Sequence, residues 1–134
     1  MPVLDTSVVL AHLLNEPGAG AVLPRLLGED AHVPDLLHIE VANALISAVR
    51  RNRLAAAQVQ PCFTLVRRLP VRTHDSGPLL VRALDISLRH GRRPYDGVFL
   101  ALAEGLGQEL LTLDAALVNG VVGTSLARHV RVLT

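Results

Sequence analysis

The chain contains no lysine; all thirteen of its basic residues are arginines. A P-loop nucleotide hydrolase grips phosphates with a lysine, and a Schiff-base enzyme forms its covalent intermediate on one, so both are excluded. Cysteine is nearly absent as well. Cys62 stands alone, which rules out an internal disulfide and a cysteine-rich zinc framework and fits a reducing compartment. Aromatic residues are confined to Phe63, Tyr95 and Phe99. They are too few to build the stacking platform that holds single strands, so the core has to be made of Leu, Val and Ala. Long apolar runs are missing too. The greasiest stretches, near residues 97–103 and 110–127, are short or broken by Asp114 and fall below the ~20 residues that span a bilayer. Met1 leads into Pro2-Val3-Leu4-Asp5 with no basic segment, so no signal peptide is expected and the protein is expected to be cytoplasmic. A net charge of +1 gives little global attraction for nucleic acid, so any such contact has to be local.

What is present fits one domain over residues 1–134, long enough to bury a core without staples, with 50% hydrophobic residues. There is no internal repeat, low-complexity tract or linker. Short apolar runs alternate with helical patterns. Val3-Leu4, His32-Val33, Val71–Thr73, Leu110–Leu113 and Val130–Leu133 read as strands. Ser7–Leu14, Ala19–Leu27, Leu36–Arg51, residues 55–69, a segment from Ser76 to about His90, Tyr95–Leu106 and a short stretch after Asp114 read as helices. Asp35 and Ser76 are the expected caps of the third and fifth helices, and Pro61 is expected to bend or delay the fourth. The alternation predicts an α/β fold with a mostly parallel sheet of four to five strands and helices on both faces. Ligands of such sheets bind beyond the carboxyl ends of the strands, which gives weight to polar residues just after a strand.

Four acids occupy such places. Asp5 ends the first strand and is followed by two hydroxyls, Thr6 and Ser7. That is more capping capacity than one helix needs. Glu40 lies in Leu36-Leu37-His38-Ile39-Glu40-Val41-Ala42-Asn43-Ala44-Leu45, a helix apolar on nearly every face and expected to be deeply packed, with Asn43 on the face of Glu40 and no arginine between positions 26 and 49. A buried carboxylate there has to be paired, protonated or bound to a metal. Asp96 opens the apolar helix Tyr95-Asp96-Gly97-Val98-Phe99-Leu100-Ala101, and Asp114 follows Leu111-Thr112-Leu113. Capping is the competing explanation for both. The remaining acids look ordinary: Asp85 has Arg82 and Arg89 at helical pairing distance, and Glu104 and Glu109 are expected to face water. The six histidines show no ligand spacing.

Parallel-sheet geometry lets the four acids meet at one edge. Carboxylates that close repel one another, and all-oxygen ligands suit a hard ion such as Mg²⁺ or Mn²⁺. Metal-assisted phosphodiester hydrolysis is the chemistry that fits. A haloacid-dehalogenase-type phosphatase would need a second aspartate where Ser7 stands, and a receiver domain would need the missing lysine. In order along the chain, Val3-Leu4-Asp5-Thr6-Ser7-Val8-Val9-Leu10, Pro34-Asp35-Leu36-Leu37-His38-Ile39-Glu40-Val41-Ala42-Asn43-Ala44-Leu45, Tyr95-Asp96-Gly97-Val98-Phe99-Leu100-Ala101-Leu102-Ala103 and Leu111-Thr112-Leu113-Asp114 resemble the four motifs of PIN domains. The set also resembles the toxins of VapBC toxin–antitoxin pairs. The resemblance implies a PIN-like α/β/α sandwich and a Mg²⁺- or Mn²⁺-dependent endoribonuclease acting on tRNA or rRNA. It further implies a homodimer inhibited by an antitoxin. It assigns the catalytic and metal-ligating roles to Asp5, Glu40, Asp96 and Asp114, with Thr6, Ser7, Asn43 and Thr112 as accessory residues. Ala115-Ala116-Leu117 departs from the basic or aromatic residue that many relatives carry after the fourth acid. Arg92 and Arg93, just before Asp96, are candidate phosphate contacts. The alternative is a PIN-fold interaction module without catalysis.

Overall fold

The computed structural model describes residues 2–16, 18, 21–27 and 30–133. Its elements follow in the order β1 (Val3–Leu4), α1 (Thr6–Leu13), α2 (Val22–Leu26), β2 (His32–Pro34), α3 (Leu36–Arg50), α4 (Val59–Arg67), β3 (Arg72–His74), α5 (Leu80–His90), α6 (Pro94–Leu106), β4 (Leu110–Thr112), α7 (Ala115–Asn119) and β5 (Val130–Val132). The strands are two or three residues long, and every residue of β1, β2 and β4 is buried. Strands covered on both faces need apolar side chains throughout, which is why they read as continuous runs rather than alternating patterns.

The sheet has five strands in the order β3-β2-β1-β4-β5, and every pairing is parallel. The chain moves outward from β1 through β2 to β3, then returns across β1 to β4 and on to β5. The direction therefore reverses between β1 and β4. In open parallel sheets such a reversal leaves a crevice beyond the carboxyl ends of the two strands.

The core fills from both sides of the sheet. Leu4, Leu37, Leu45, Phe99, Leu100, Leu110 and Leu111 are among its fully buried side chains. Helix α6 is the most deeply embedded element: Gly97 through Ala103 are all buried. It lies tightly on α5, because a Cβ at Gly97 would stand 2.6 Å from the carbonyl oxygen of Ala83. Glycine is needed there for space, and the close approach fixes the N-terminal turn of α6. Gly91, with φ +65°, ends α5 and turns the chain into Arg92 and Arg93.

Several local expectations are revised. Part of the helix expected over Ala19–Leu27 lies outside the described residues; within them it is Val22–Leu26. A 3₁₀ turn over Ala56–Gln58 leads into α4, which places Pro61 in the first turn, where its missing N–H costs nothing. Asp35 and Ser76 do not cap their own helices. Ser76 Oγ accepts the amide of Leu36 at 3.2 Å, while Asp35 accepts both the amide and the hydroxyl of Ser76. The start of α3 is thus tied to the segment after β3. Helix α3 is also less enclosed than expected, with Ile39 69% and Ile46 44% exposed. Glu104 and Glu109 pair with Arg82 and Arg131 instead of simply facing water. Two histidines, His32 and His74, share a 2.8 Å hydrogen bond between β2 and β3. Among the described residues no helix is long and apolar enough to cross a membrane.

Candidate active site

All four acids lie at the carboxyl edge of the sheet. Asp5 directly follows β1, Asp114 stands two residues beyond β4, Glu40 is on the second turn of α3 after β2, and Asp96 is on the first turn of α6. Asp5 and Asp114 therefore flank the point where the strand order reverses.

Capping explains only one of them. Asp114 is the N-cap of α7, and its Oδ1 accepts the Ala116 amide at 2.9 Å. Asp5 precedes α1 but makes no side-chain capping bond. The residue at the cap position of α6 is Arg93, and Asp96 makes no capping bond either. Both are held, or left free, for another reason.

Asp5 is oriented by hydroxyls. Ser7 Oγ accepts the Leu113 amide at 3.0 Å and donates to Asp5 Oδ2 at 2.6 Å. Thr112 Oγ1 accepts the Asp114 amide at 3.0 Å and donates to the same Oδ2 at 2.8 Å. The backbone amides fix the direction of both hydroxyl protons. The β4 edge thereby aims two donors at one oxygen of Asp5, and among the described residues no donor reaches Oδ1. Thr6 Oγ1 donates to Glu40 Oε1 at 2.7 Å, tying α1 to α3. These bonds bring Thr6, Ser7 and Thr112 against two of the acids, Glu40 and Asp5. Asn43 lies exposed on α3 and lines the adjoining cleft.

The electrostatics show that the four acids share one environment. Burial is the main cause that raises the Glu40 carboxyl above its ordinary value; the Thr6 hydroxyl opposes it, and the charges of Asp5 and Asp96 add to it. Burial likewise raises Asp96, opposed by Arg93 and Arg92 and reinforced by Asp5 and Asp114. The nearest cation to Asp96 is Arg93, at a loose 3.9 Å. Arg93 and Arg92 offset these shifts only in part. The free oxygens of the acids are the hard donors that Mg²⁺ and Mn²⁺ prefer. Among the described residues no three donors are already grouped closely enough to ligate one ion together. Mg²⁺ does not require that, since it commonly keeps several waters and uses one or two carboxylates with substrate phosphates.

A cleft of about 460 Å³ opens beside Glu40, lined by Leu36, Ile39, Asn43, Arg93 and Tyr95. Tyr95 escaped the sequence reading. It is half exposed, with the Arg93 guanidinium 5.7 Å from its ring centre, and its place one residue before Asp96 was the available signal. The two arginines diverge. Arg93 is exposed, whereas Arg92 is half-buried against α7 and donates to the Ala116 carbonyl at 3.3 Å.

The PIN domain family model matches residues 3–119, which include all four acids. The chain belongs to the PIN-domain family. Among curated proteins this PIN domain is 36% identical over 117 residues to Ribonuclease VapC12 of Mycobacterium tuberculosis, covering 87% of this chain and 89% of the relative. It is 32% identical over 120 residues to Ribonuclease VapC3 of Pyrobaculum aerophilum, covering 86% and 90%. Among solved structures, PAE2754 of Pyrobaculum aerophilum superposes with a TM-score of 0.71 at 22% identity, over 91% of this chain and 80% of that one. A toxin–antitoxin complex from Klebsiella pneumoniae superposes with a TM-score of 0.67 at 16% identity, over 100% and 97%. The PIN-like sandwich expected from the motifs is therefore present, with its sheet entirely parallel.

Proposed function

We propose that this PIN domain is an endoribonuclease that depends on Mg²⁺ or Mn²⁺ and serves as the toxin of a toxin–antitoxin pair. The carrying observation is the meeting of Asp5, Glu40, Asp96 and Asp114 at the carboxyl edge of the sheet, at the reversal of strand order, where burial first and the neighbouring acids second raise Glu40 and Asp96. The ribonuclease relatives and the toxin–antitoxin neighbour support the same reading. Asp5, Glu40, Asp96 and Asp114 would hold the ion, some of them through its waters. When bound, it polarises a phosphoryl oxygen and makes water a better nucleophile at neutral pH.

The chain's own residues set the geometry. Ser7 and Thr112 occupy Asp5 Oδ2 and Thr6 occupies Glu40 Oε1, so the second oxygen of each carboxylate would be the one offered to the ion. Arg93, exposed beside Asp96, is placed to meet a backbone phosphate; Arg92 has the weaker claim because its guanidinium already rests on α7. Tyr95 and Asn43 offer a ring face and an amide to a nucleotide in the cleft. A substrate among tRNA or rRNA is consistent with local rather than global positive charge.

The homodimer has a candidate surface in α5, where Val81 is 82% and Leu88 87% exposed, with Leu84 between them on the same stripe. A Leu88→Glu change should convert a dimer to monomers in sedimentation; a wild type already monomeric would remove the dimer.

Total tRNA and rRNA, incubated with the antitoxin-free wild type, should be cut with Mn²⁺ or Mg²⁺ and left intact in EDTA, and Asp96→Asn should not cut. Cleavage that persists in Asp96→Asn would refute the assigned site, and failure of the metal-loaded wild type to cut would favour the interaction-module alternative.

A further inference from the structure

Arg92 occupies an unusual position. Its Nη1 donates to the Ala116 carbonyl, which already accepts the Gly120 amide at 2.9 Å. The guanidinium thus straddles the last turn of α7. A Cβ added at Gly120 would stand 3.1–3.2 Å from its Nε, Cδ and Cζ, so a methyl there would press the arginine back by a few tenths of an ångström. Gly120 has an ordinary helical φ of −66°, and nothing in its backbone requires glycine. Among the described residues Arg92 Nε is buried without a partner. Leaving a charged group's N–H unpaired is unfavourable, and stability alone gives no reason to hold it there.

Ala116 links this seat to the acids. Its carbonyl takes Arg92, and its amide donates to Asp114 Oδ1. Arg92 itself lies four residues before Asp96, at the entry to α6. Asp114 is the most exposed of the four acids and caps a helix only five residues long; Leu117 anchors that helix in the core, while its solvent-facing N-terminal turn carries the Ala116 carbonyl that Arg92 holds.

We propose that Arg92 is a positioning residue that clamps α7 through Ala116 and so sets the place of Asp114 relative to Asp96, with Gly120 providing the seat. The proposal rests on the nuclease reading for its consequence, but the clamp itself is a property of the fold. It also gives two neighbouring arginines different roles, with Arg93 turned toward substrate and Arg92 toward the frame of the site.

The test compares wild type, Arg92→Ala, Gly120→Ala, Asp114→Asn and the doubles Arg92→Ala/Gly120→Ala and Arg92→Ala/Asp114→Asn. Amide hydrogen exchange and steady-state RNA cleavage are read on each. The clamp predicts faster exchange in α7 for Arg92→Ala and Gly120→Ala, with the sheet unchanged. It predicts a kcat lower by about tenfold or more, with KM and its salt dependence unmoved. The double with Gly120→Ala should be no worse than Arg92→Ala, because the three nearest atoms that an added methyl meets all belong to Arg92. In the Asp114→Asn background, Arg92→Ala should cost nothing further. A raised KM with a flatter salt slope and unchanged α7 exchange would make Arg92 a phosphate contact and overturn the proposal. Additive losses in either double would overturn it too. A wild type that cuts no RNA would defeat the nuclease reading, while the exchange comparison still decides whether the clamp exists.

Discussion

Two groups of acids in this molecule are treated in opposite ways. On the outer side of α5 and α6, Glu104 receives both Nε and Nη2 of Arg82 at 2.8 and 2.9 Å, and Asp85 is held by Arg89 and Arg82. The hydrogen bonds from Arg82 lower the Glu104 carboxyl, and those from Arg89 and Arg82 lower Asp85. At the carboxyl edge of the sheet, Glu40 and Asp96 are raised by burial and by their acidic neighbours, and their partners are a hydroxyl and a loosely placed arginine. With thirteen arginines in the chain, the missing partners are not a matter of supply. The first group is finished as a structure; the second is the one proposed to take a cation from outside.

The largest effect should come from breaking the second group. Asp96→Asn removes a charge without changing shape, and RNA cleavage should fall by about three orders of magnitude, the several kcal/mol that a Lewis-acid ion supplies. Initial rates at saturating Mn²⁺ measure it, and a fall below tenfold would count against Asp96. Next in size is the packing that holds both groups in one frame. Gly97→Ala forces a methyl against the Ala83 carbonyl and should cost about 1–3 kcal/mol in urea unfolding. An unchanged midpoint would show that α5 and α6 are not locked as described.

The two groups should also respond to pH with opposite signs. A carboxyl raised in the folded state stabilises below its unfolded value, and that stability is lost as pH rises through the folded value. Ionised Glu40 is therefore a cost at neutral pH. Glu40→Gln should raise the melting temperature of the metal-free protein at about pH 7, and the gain should shrink toward about pH 4. A carboxyl lowered in the folded state behaves in reverse. Glu104 contributes above its unfolded value and loses that contribution as pH falls through the lowered one. Arg82→Ala should cost less than about 1 kcal/mol, because the pair is partly exposed, and should leave cleavage unchanged. A Glu40→Gln variant less stable at neutral pH, or an Arg82→Ala variant that loses cleavage, would erase the distinction between the groups.

The parts legible in the sequence were those that repeat a local pattern. Buried strands such as Leu110–Thr112 and the embedded helix around Phe99 announce themselves by unbroken apolar runs, and the acids after them by position. Asp85 was legible because its arginines are three and four residues away. Glu104 was not, since Arg82 is 22 residues distant and reaches it only because α5 packs on α6. Asp35 and Ser76 look like caps of their own helices in one dimension; the parallel pairing of β2 with β3 brings them together and exchanges their roles. The same limit hid the role of Arg92. Its partner carbonyl is 24 residues away, and the glycine that makes room for it lies farther along the chain.

The central question is whether the carboxyl-edge acids bind a divalent cation. Calorimetric titration of Mn²⁺ into the metal-free wild type and Asp96→Asn, with thermal melts of each, tests this most directly. The wild type should bind Mn²⁺ and melt at a higher temperature with it, whereas Asp96→Asn should start higher without metal and gain little from it. Equal Mn²⁺ binding by both proteins, or none by the wild type, would contradict a cation site built from these acids.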